Sequence, residues 1–181
     1  MFLQPPRTRR RLEELQRIEA LGDIFPDLVK LKELATVEED GMSFPIYGVT
    51  MGTEDKTKPT FGLFAGVHGV ERVGAHVAIS FLESLVSRLR WDKELRRTFR
   101  KTRLVSIPLV NPAGMYLKRR SNARGIDLMR NAPVEAERRP PLLVGGQRIS
   151  PLLPWYRGDD ELETESKTLV DFVKAETFSA R

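Results

Sequence analysis

Leu12, Leu15, Ile18 and Leu21 recur every three residues on an otherwise charged background, the spacing of one helical face, which predicts a surface helix over 8–21 stopped by Gly22. Two stretches downstream, LVKLKELAT (28–36) and SFPIYGVTM (43–51), are apolar and alternating. Glu39-Asp40-Gly41 between them supplies turn chemistry, so they predict a β-hairpin. PTFGLFAGV (59–67) is a nearly continuous apolar run, the pattern of a strand covered on both faces. From 71 to about 90 the period lengthens, with Val73, Val77, Phe81, Leu85 and Leu89 four apart, and a helix is predicted. RLVSIPLVN (103–111) reads as a second buried strand. Periodicity then gives way to Pro, Gly, Arg and Asn from 112 to 159, a long loop region of the kind that carries function in a compact domain. A last helix over 162–174 turns Leu162, Leu169 and Val170 inward.

Strand, long helix, strand is the crossover unit of a parallel sheet, and such sheets gather their sites at the carboxyl ends of the strands. The expected fold is α/β: a mixed, mostly parallel sheet flanked by helices, in one domain of an N-terminal helix (1–25) and an α/β core (26–181). A length of 181 residues with 40% hydrophobic and 30% charged residues suits one soluble domain with its own core. The absence of cysteine removes disulfides, thiolate metal sites and cysteine nucleophiles, so a transition metal would have to use His and carboxylate. No segment approaches the about 18 apolar residues of a membrane span, and no signal-peptide core follows the N-terminal arginines. A cytoplasmic location without membrane partners is therefore expected. The net charge of +5 concentrates in RTRRR, RRTFRKTR, KRRSNAR and ERR. These clusters alternate with acids or flank strands, with no aromatic stacking platform, zinc finger or helix-turn-helix pattern, and no nucleic-acid partner is expected.

The charged residues that change the picture stand at the end of the first apolar strand, in FGLFAGVHGVERVG (61–74). His68 and Glu71 in H-x-x-E spacing let an imidazole nitrogen and a carboxylate converge on one point, a pair that zinc accepts in a catalytic site. The competing explanation is local: a Glu in a first helical turn is favoured by the helix dipole regardless of any metal. The second set begins where RLVSIPLVN ends. In NPAGMYLKRRSNARGIDLMRN (111–131), Asn111-Pro112 and Gly114 make a turn, followed by Arg120, Asn122, Gly125, Asp127, Arg130 and Asn131. Arginines above the ends of a sheet can clamp a carboxylate in bidentate fashion or stabilise an oxyanion, which suits an acyl substrate with a free acid group.

Taken together, H-x-x-E at one strand end, then N-P-x-G, then R-x-N-x-x-G-I-D-L-x-R-N resemble the zinc carboxypeptidase family, in the flavour of the murein peptide amidases. RGDDELETESKTL (157–169) is similar to that group's segment before its next helix, so the resemblance covers about residue 28 to the end. It implies a metallocarboxypeptidase-like zinc hydrolase that cleaves an amide or peptide bond near a free carboxylate. Residue by residue, it implies that His68 and Glu71 are the first two Zn2+ ligands and that Arg120 polarises the scissile carbonyl. It implies further that Arg130 binds the terminal carboxylate, with Asn122 of the same motif assigned to the substrate. Asp127 and Gly125 are read as shaping the loop, Lys118, Arg119 and Arg124 as solvated surface, and His76 as a packed or surface histidine.

Two departures from the family pattern bear on function. Met129 stands where the family has an Asn before the carboxylate-binding Arg, and a thioether cannot donate the amide hydrogen bond. The family's third zinc ligand, a His, and its general-base Glu lie beyond the helix at 162–174 and have no counterpart in these 181 residues, whose only histidines are His68 and His76. The chain is thus expected to be an N-terminal portion of the fold, pairing with the remaining portion or with itself. The alternatives are a non-catalytic domain that captures anionic peptide ends, and an acylamino-acid deacylase.

Overall fold

The computed structural model describes residues 11–134, 137–138, 141 and 145–177. The first three residues of the helix expected over 8–21 lie outside that range. Helix α1 (Glu13–Ile24) buries Leu12, Leu15, Ile18 and Leu21, the face its three-residue spacing defines, and runs through Gly22 before ending at Phe25. Strands β1 (Lys30–Glu39) and β2 (Met42–Gly52) form the expected hairpin. Its two-residue turn has Asp40 at φ 51° and Gly41 at φ 66°, the left-handed pair that matches strand twist.

Four strands form one mixed sheet in the order β1-β2-β4-β3. β4 (Arg103–Ile107) is buried throughout, whereas β3 (Thr60–Phe64), expected to be covered on both faces, is half-exposed because it stands last in the sheet with a neighbour on one side among the described strands. Their ladder is parallel, joined through α2 (Arg72–Leu89) and a short α3 (Lys93–Phe99) that the sequence pattern did not announce. The β1·β2 and β2·β4 ladders are antiparallel. The expected mixed sheet flanked by helices is present, but among the described strands it is not mostly parallel: only the β3·β4 ladder is, because the hairpin supplies the other two.

Side chains alternate between two core layers. Leu104 faces the layer of α1 and α2, with Leu15, Ile18, Ile79, Leu82 and Val86. Val105 and Ile107 face the other layer, with Ile46, Leu128 and Phe172 of α5 (Thr164–Thr177). Gly48 is required there because a Cβ would lie 2.8 Å from the Phe172 ring. One expected feature changes. The stripe Val73, Val77, Phe81 identifies α2 as a helix, yet these residues are exposed, and the buried face is Ala75, Ala78, Ile79, Leu82, Val86 and Leu89. Small Ala75 and Ala78 let the helix approach its neighbours closely, a contact that the larger valines would hold open.

Candidate metal centre

Both loops that carry the candidate residues leave the parallel strands at the same edge. Parallel pairing continues past β3 through Ala65 and Gly66, where Val110 N–H donates to Ala65 O at 3.0 Å and Asn111 N–H to Gly66 O at 2.9 Å. Asn111 then locks the two loops together. Its Oδ1 accepts from Gly114 N at 2.9 Å, capping the short α4 (Pro112–Tyr116), while its Nδ2 donates to Val67 O and Ser121 O, each at 3.2 Å. The loops also touch backbone to backbone: a Cβ on Gly69 would sit 2.1 Å from the carbonyl carbon of Gly114. Any side chain at residue 69 would push His68 away from the second loop.

The chain reverses at Gly66, and His68 arrives at the strand end with its side chain 10% exposed. Glu71 is the N-cap position of α2 rather than a member of its first turn, and its carboxylate makes no capping hydrogen bond. It points instead at His68, with Oε1 2.9 Å from Nδ1. A capping hydrogen bond thus does not account for Glu71, although its charge still stands at the favourable end of the α2 dipole.

The other imidazole nitrogen, Nε2, lies 3.3 Å from Asp127 Oδ1. Asp127 is buried and accepts from Met129 N at 3.1 Å and from Arg120 Nε at 3.0 Å. Arg120 extends one further nitrogen, Nη1, to 3.5 Å from Glu71 Oε1. Four side chains thus form a closed ring: His68, Asp127, Arg120, Glu71. Each ring nitrogen of His68 lies against a carboxylate oxygen, Nδ1 against Glu71 and Nε2 against Asp127, and the tautomer sets which of the two donates.

That donor set fits two positions of a zinc site, one imidazole and one carboxylate, with Asp127 on the far ring nitrogen fixing tautomer and orientation. Among the described residues no group of three His, Asp or Glu converges as a metal cluster.

The structure separates the other expected site residues. Arg130 is half-buried in the same loop, three residues past Asp127, with its stem against Gly146, where a Cβ would lie 3.1 Å from Arg130 Cβ. It is not part of the ring around His68. Asn122, expected to touch substrate, is 1% exposed with its amide fully committed: Oδ1 accepts from Ile126 N at 3.0 Å, and Nδ2 donates to Glu163 Oε2 at 2.9 Å and Glu165 Oε2 at 3.3 Å. Reaching a substrate would strand two buried carboxylates, so Asn122 positions the loop instead. Beneath it, burial pushes the Glu165 carboxyl above its ordinary value, outweighing its backbone bond and the bond from Asn122.

Asp127 is the residue whose part the sequence reading understated. A signal was there: an acid between two apolar residues, Ile126 and Leu128, has to find partners when the loop buries all three. His76 is structural, with Nε2 2.6 Å from Glu14 Oε1 across α1 and α2.

The profile of the zinc carboxypeptidase family matches residues 15–180, and the chain belongs to that family. Its similarities to individual members are partial. Carboxypeptidase E of Caenorhabditis elegans is 30% identical over an alignment of 130 positions that covers 62% of this chain and 28% of that protein. Carboxypeptidase SOL1 of Arabidopsis thaliana is 24% identical over 117 residues, 63% of this chain and 24% of that protein. The chain thus spans about a quarter of the length of these relatives. Among solved structures, carboxypeptidase A from Helicoverpa armigera superposes with a TM-score of 0.72 at 19% identity, over 92% of this chain and 42% of that one. The metallo-carboxypeptidase from Burkholderia cenocepacia gives 0.62 at 21% identity, over 88% and 36%. At such identities the likeness concerns the fold. No helix among the described residues is long and apolar enough to cross a membrane.

Proposed function

We propose that this chain contributes part of the active site of a zinc-dependent hydrolase that cleaves an amide bond near a free carboxylate. The observation that carries the reading is the approach of His68 Nδ1 to Glu71 Oε1 at the strand end, with Asp127 on the opposite ring nitrogen. His68 and Glu71 would hold the ion. The chemistry a bound zinc ion supplies is Lewis acidity toward a carbonyl and activation of water. Asp127 keeps the Nε2 proton in place, so Nδ1 remains the donor atom. Arg120 is held by its Nε on Asp127, which leaves Nη1 to turn from Glu71 to the scissile carbonyl and stabilise the negative charge developing on its oxygen. Arg130 would anchor the substrate carboxylate. Met129, 54% exposed, offers that group no hydrogen bond, which leaves room for acylamino acids beside peptides. The sequence has two histidines and His76 is committed to Glu14, so a third imidazole ligand would come from another polypeptide segment.

A surface for such a segment exists. β3 ends the sheet with one backbone edge unpaired among the described strands, and its Phe61 is 58% exposed. Bare edges of this kind invite strand addition. We propose that further polypeptide covers this edge, either the remainder of a carboxypeptidase fold or a second copy. Sedimentation of the 181-residue chain tests this: concentration-dependent association is expected, and a clean monomer with a sharp, concentration-independent melt would count against it.

The metal half of the reading is tested by titrating Zn2+ into the chain at neutral pH in a calorimeter. Weak binding lost in His68→Ala is expected, because two ligands leave the ion half solvated. Binding that survives the substitution unchanged would remove His68 from the metal site.

A further inference from the structure

A cavity of about 400 Å³ opens beside Arg120 and Asp127. Arg120 and Asp127 form one wall, and Pro151, Leu152, Leu153 and Trp155 form the other. We propose that this cavity is a subsite for an apolar group on the acyl side of the scissile amide, so that the substrates are peptides or N-acyl amino acids carrying a bulky apolar acyl part. The proposal rests on the hydrolase reading above, because Arg120 is the residue that places the carbonyl.

Three observations carry it. The first is that the apolar wall is built rather than loose. Gln147 is buried and spends its whole amide on the segment: Oε1 accepts from Ile149 N at 2.7 Å and Ser150 N at 3.1 Å, and Nε2 donates to Ser150 O at 2.8 Å and Leu153 O at 3.4 Å. With the polar backbone satisfied inside the turn, its apolar side chains are turned outward, and Leu152 is 93% exposed. The second is that the wall is registered on the catalytic ring. Asp127 N–H donates to Tyr156 O at 2.7 Å and Gln147 N–H to Trp155 O at 3.2 Å, so the carboxylate that holds His68 and Arg120 also sets the position of the apolar turn. The third is Trp155, a bulky residue at φ 56°, a left-handed conformation that such side chains rarely adopt and that is retained where a site over-determines it.

Ordered leucine and tryptophan facing water gain by being covered, and a concave apolar surface with a few convergent polar groups at its rim is the usual form of a ligand pocket. The side of the substrate follows from the arginines. Arg130, the proposed carboxylate anchor, does not line the cavity, whereas Arg120 does. The cavity therefore adjoins the residue that would place the carbonyl and not the one that would anchor the carboxylate, which is the ground for assigning it to the acyl side.

The test compares two probes on the full chain, N-acetylglycine and N-(3-phenylpropanoyl)glycine, followed by Trp155 emission in a Trp91→Phe background. The phenylpropanoyl probe should bind at least about tenfold more tightly, as expected for burying a phenyl group, and shift the emission to the blue. The double variant Leu152→Ser, Leu153→Ser should bring the ratio near one; both side chains lie outside the core, and circular dichroism checks the fold. Equal affinities in the parent, or a ratio that survives the double variant, would overturn the subsite. Zinc calorimetry separates the two levels. Equal affinities in the parent with His68-dependent zinc binding remove the subsite alone, while a tenfold parent ratio that the double variant abolishes, with zinc binding indifferent to His68→Ala, removes the hydrolase reading and the acyl-side assignment with it.

Discussion

The two histidines of this chain stand among the same kinds of partner arranged in opposite senses. At the strand end the imidazole is buried and Glu71 is exposed. At the junction of α1 and α2 the carboxylate of Glu14 is wholly buried, and His76 and Arg72 are the exposed members. Around His68 each ring nitrogen faces a different carboxylate. Around His76 every donor falls on one oxygen: Glu14 Oε1 accepts from Arg72 Nε at 2.9 Å and Nη2 at 2.5 Å and lies 2.6 Å from His76 Nε2, while Oε2 is buried with no hydrogen-bond partner among the described residues. A guanidinium seated on Glu14 already supplies the positive charge that its carboxylate needs. Near His68 one guanidinium is shared between two carboxylates, with Nε on Asp127 at 3.0 Å and Nη1 at 3.5 Å from Glu71. A histidine beside a carboxylate can therefore serve packing alone, and the proposed metal pair differs from the structural one in which member is exposed and in how closely a guanidinium approaches the carboxylate.

Breaking the comparison at its strongest point means removing the carboxylate behind each histidine. Asp127→Asn should weaken zinc binding about 10- to 100-fold, the usual cost of losing an outer partner of a ligating imidazole. Glu14→Gln should leave zinc affinity unchanged. Parallel calorimetric titrations measure both, and an equal loss in the two variants would mean that the histidines are not functionally distinct.

The next contrast is in stability. Glu14→Gln should cost about 1 to 3 kcal/mol at pH 7, the range for disturbing buried hydrogen-bonded groups. Burial, the largest single influence on Glu14, raises its pKa, but the bonds from its own backbone, Arg72 and His76 together hold the carboxyl below the ordinary 4.5. A depressed carboxyl stabilises the fold above the unfolded value and loses that contribution as pH falls through the folded one. The gap between parent and variant melting temperatures should therefore close as pH falls below 4.5. A gap that is constant down to pH 3 would mean that the charge on Glu14 is not what the fold uses.

The smallest effect should come from Glu165, with the opposite sign. Burial, reinforced by the charge of Glu163, raises its pKa, and Oε1 has no hydrogen-bond partner among the described residues. A raised carboxyl favours the fold below its unfolded value and loses that advantage as pH rises toward the folded value. Glu165→Gln keeps an acceptor for Asn122, so it should raise stability at pH 7 by about 0.5 to 1 kcal/mol and change little at pH 4. Thermal melts at the two pH values would show it, and destabilisation at pH 7 would contradict the sign.

Particular residues show how far the sequence could be read. The hairpin was legible because alternation and an Asp-Gly turn are properties of neighbouring residues. Leu12, Leu15, Ile18 and Leu21 fixed the buried face of α1 because only one apolar stripe exists there. On α2 two stripes compete, and the one with larger side chains, Val73, Val77 and Phe81, is the exposed one. Periodicity cannot rank two apolar faces of one helix; the layer that packs against it does. Asn122 shows the same limit at the site. Its place in a motif suggested contact with substrate, whereas its partners Glu163 and Glu165, more than 40 positions away, fill its amide.

What the sequence by itself determined is the set of local relations: the elements, their order, and the three-residue step that lets His68 and Glu71 meet at the end of an apolar strand. A backbone with fixed rise and period settles these without help from distant residues. Only the tertiary structure decided that Asp127, 59 positions from His68, holds the imidazole and Arg120 together, and that His76 is consumed by Glu14, 62 positions back. Burial is the reason. Once the loops close at Gly69 and Gly114, each polar group leaving water has to accept whichever partner the fold brings within about 3 Å, and that choice belongs to packing rather than to spacing along the chain.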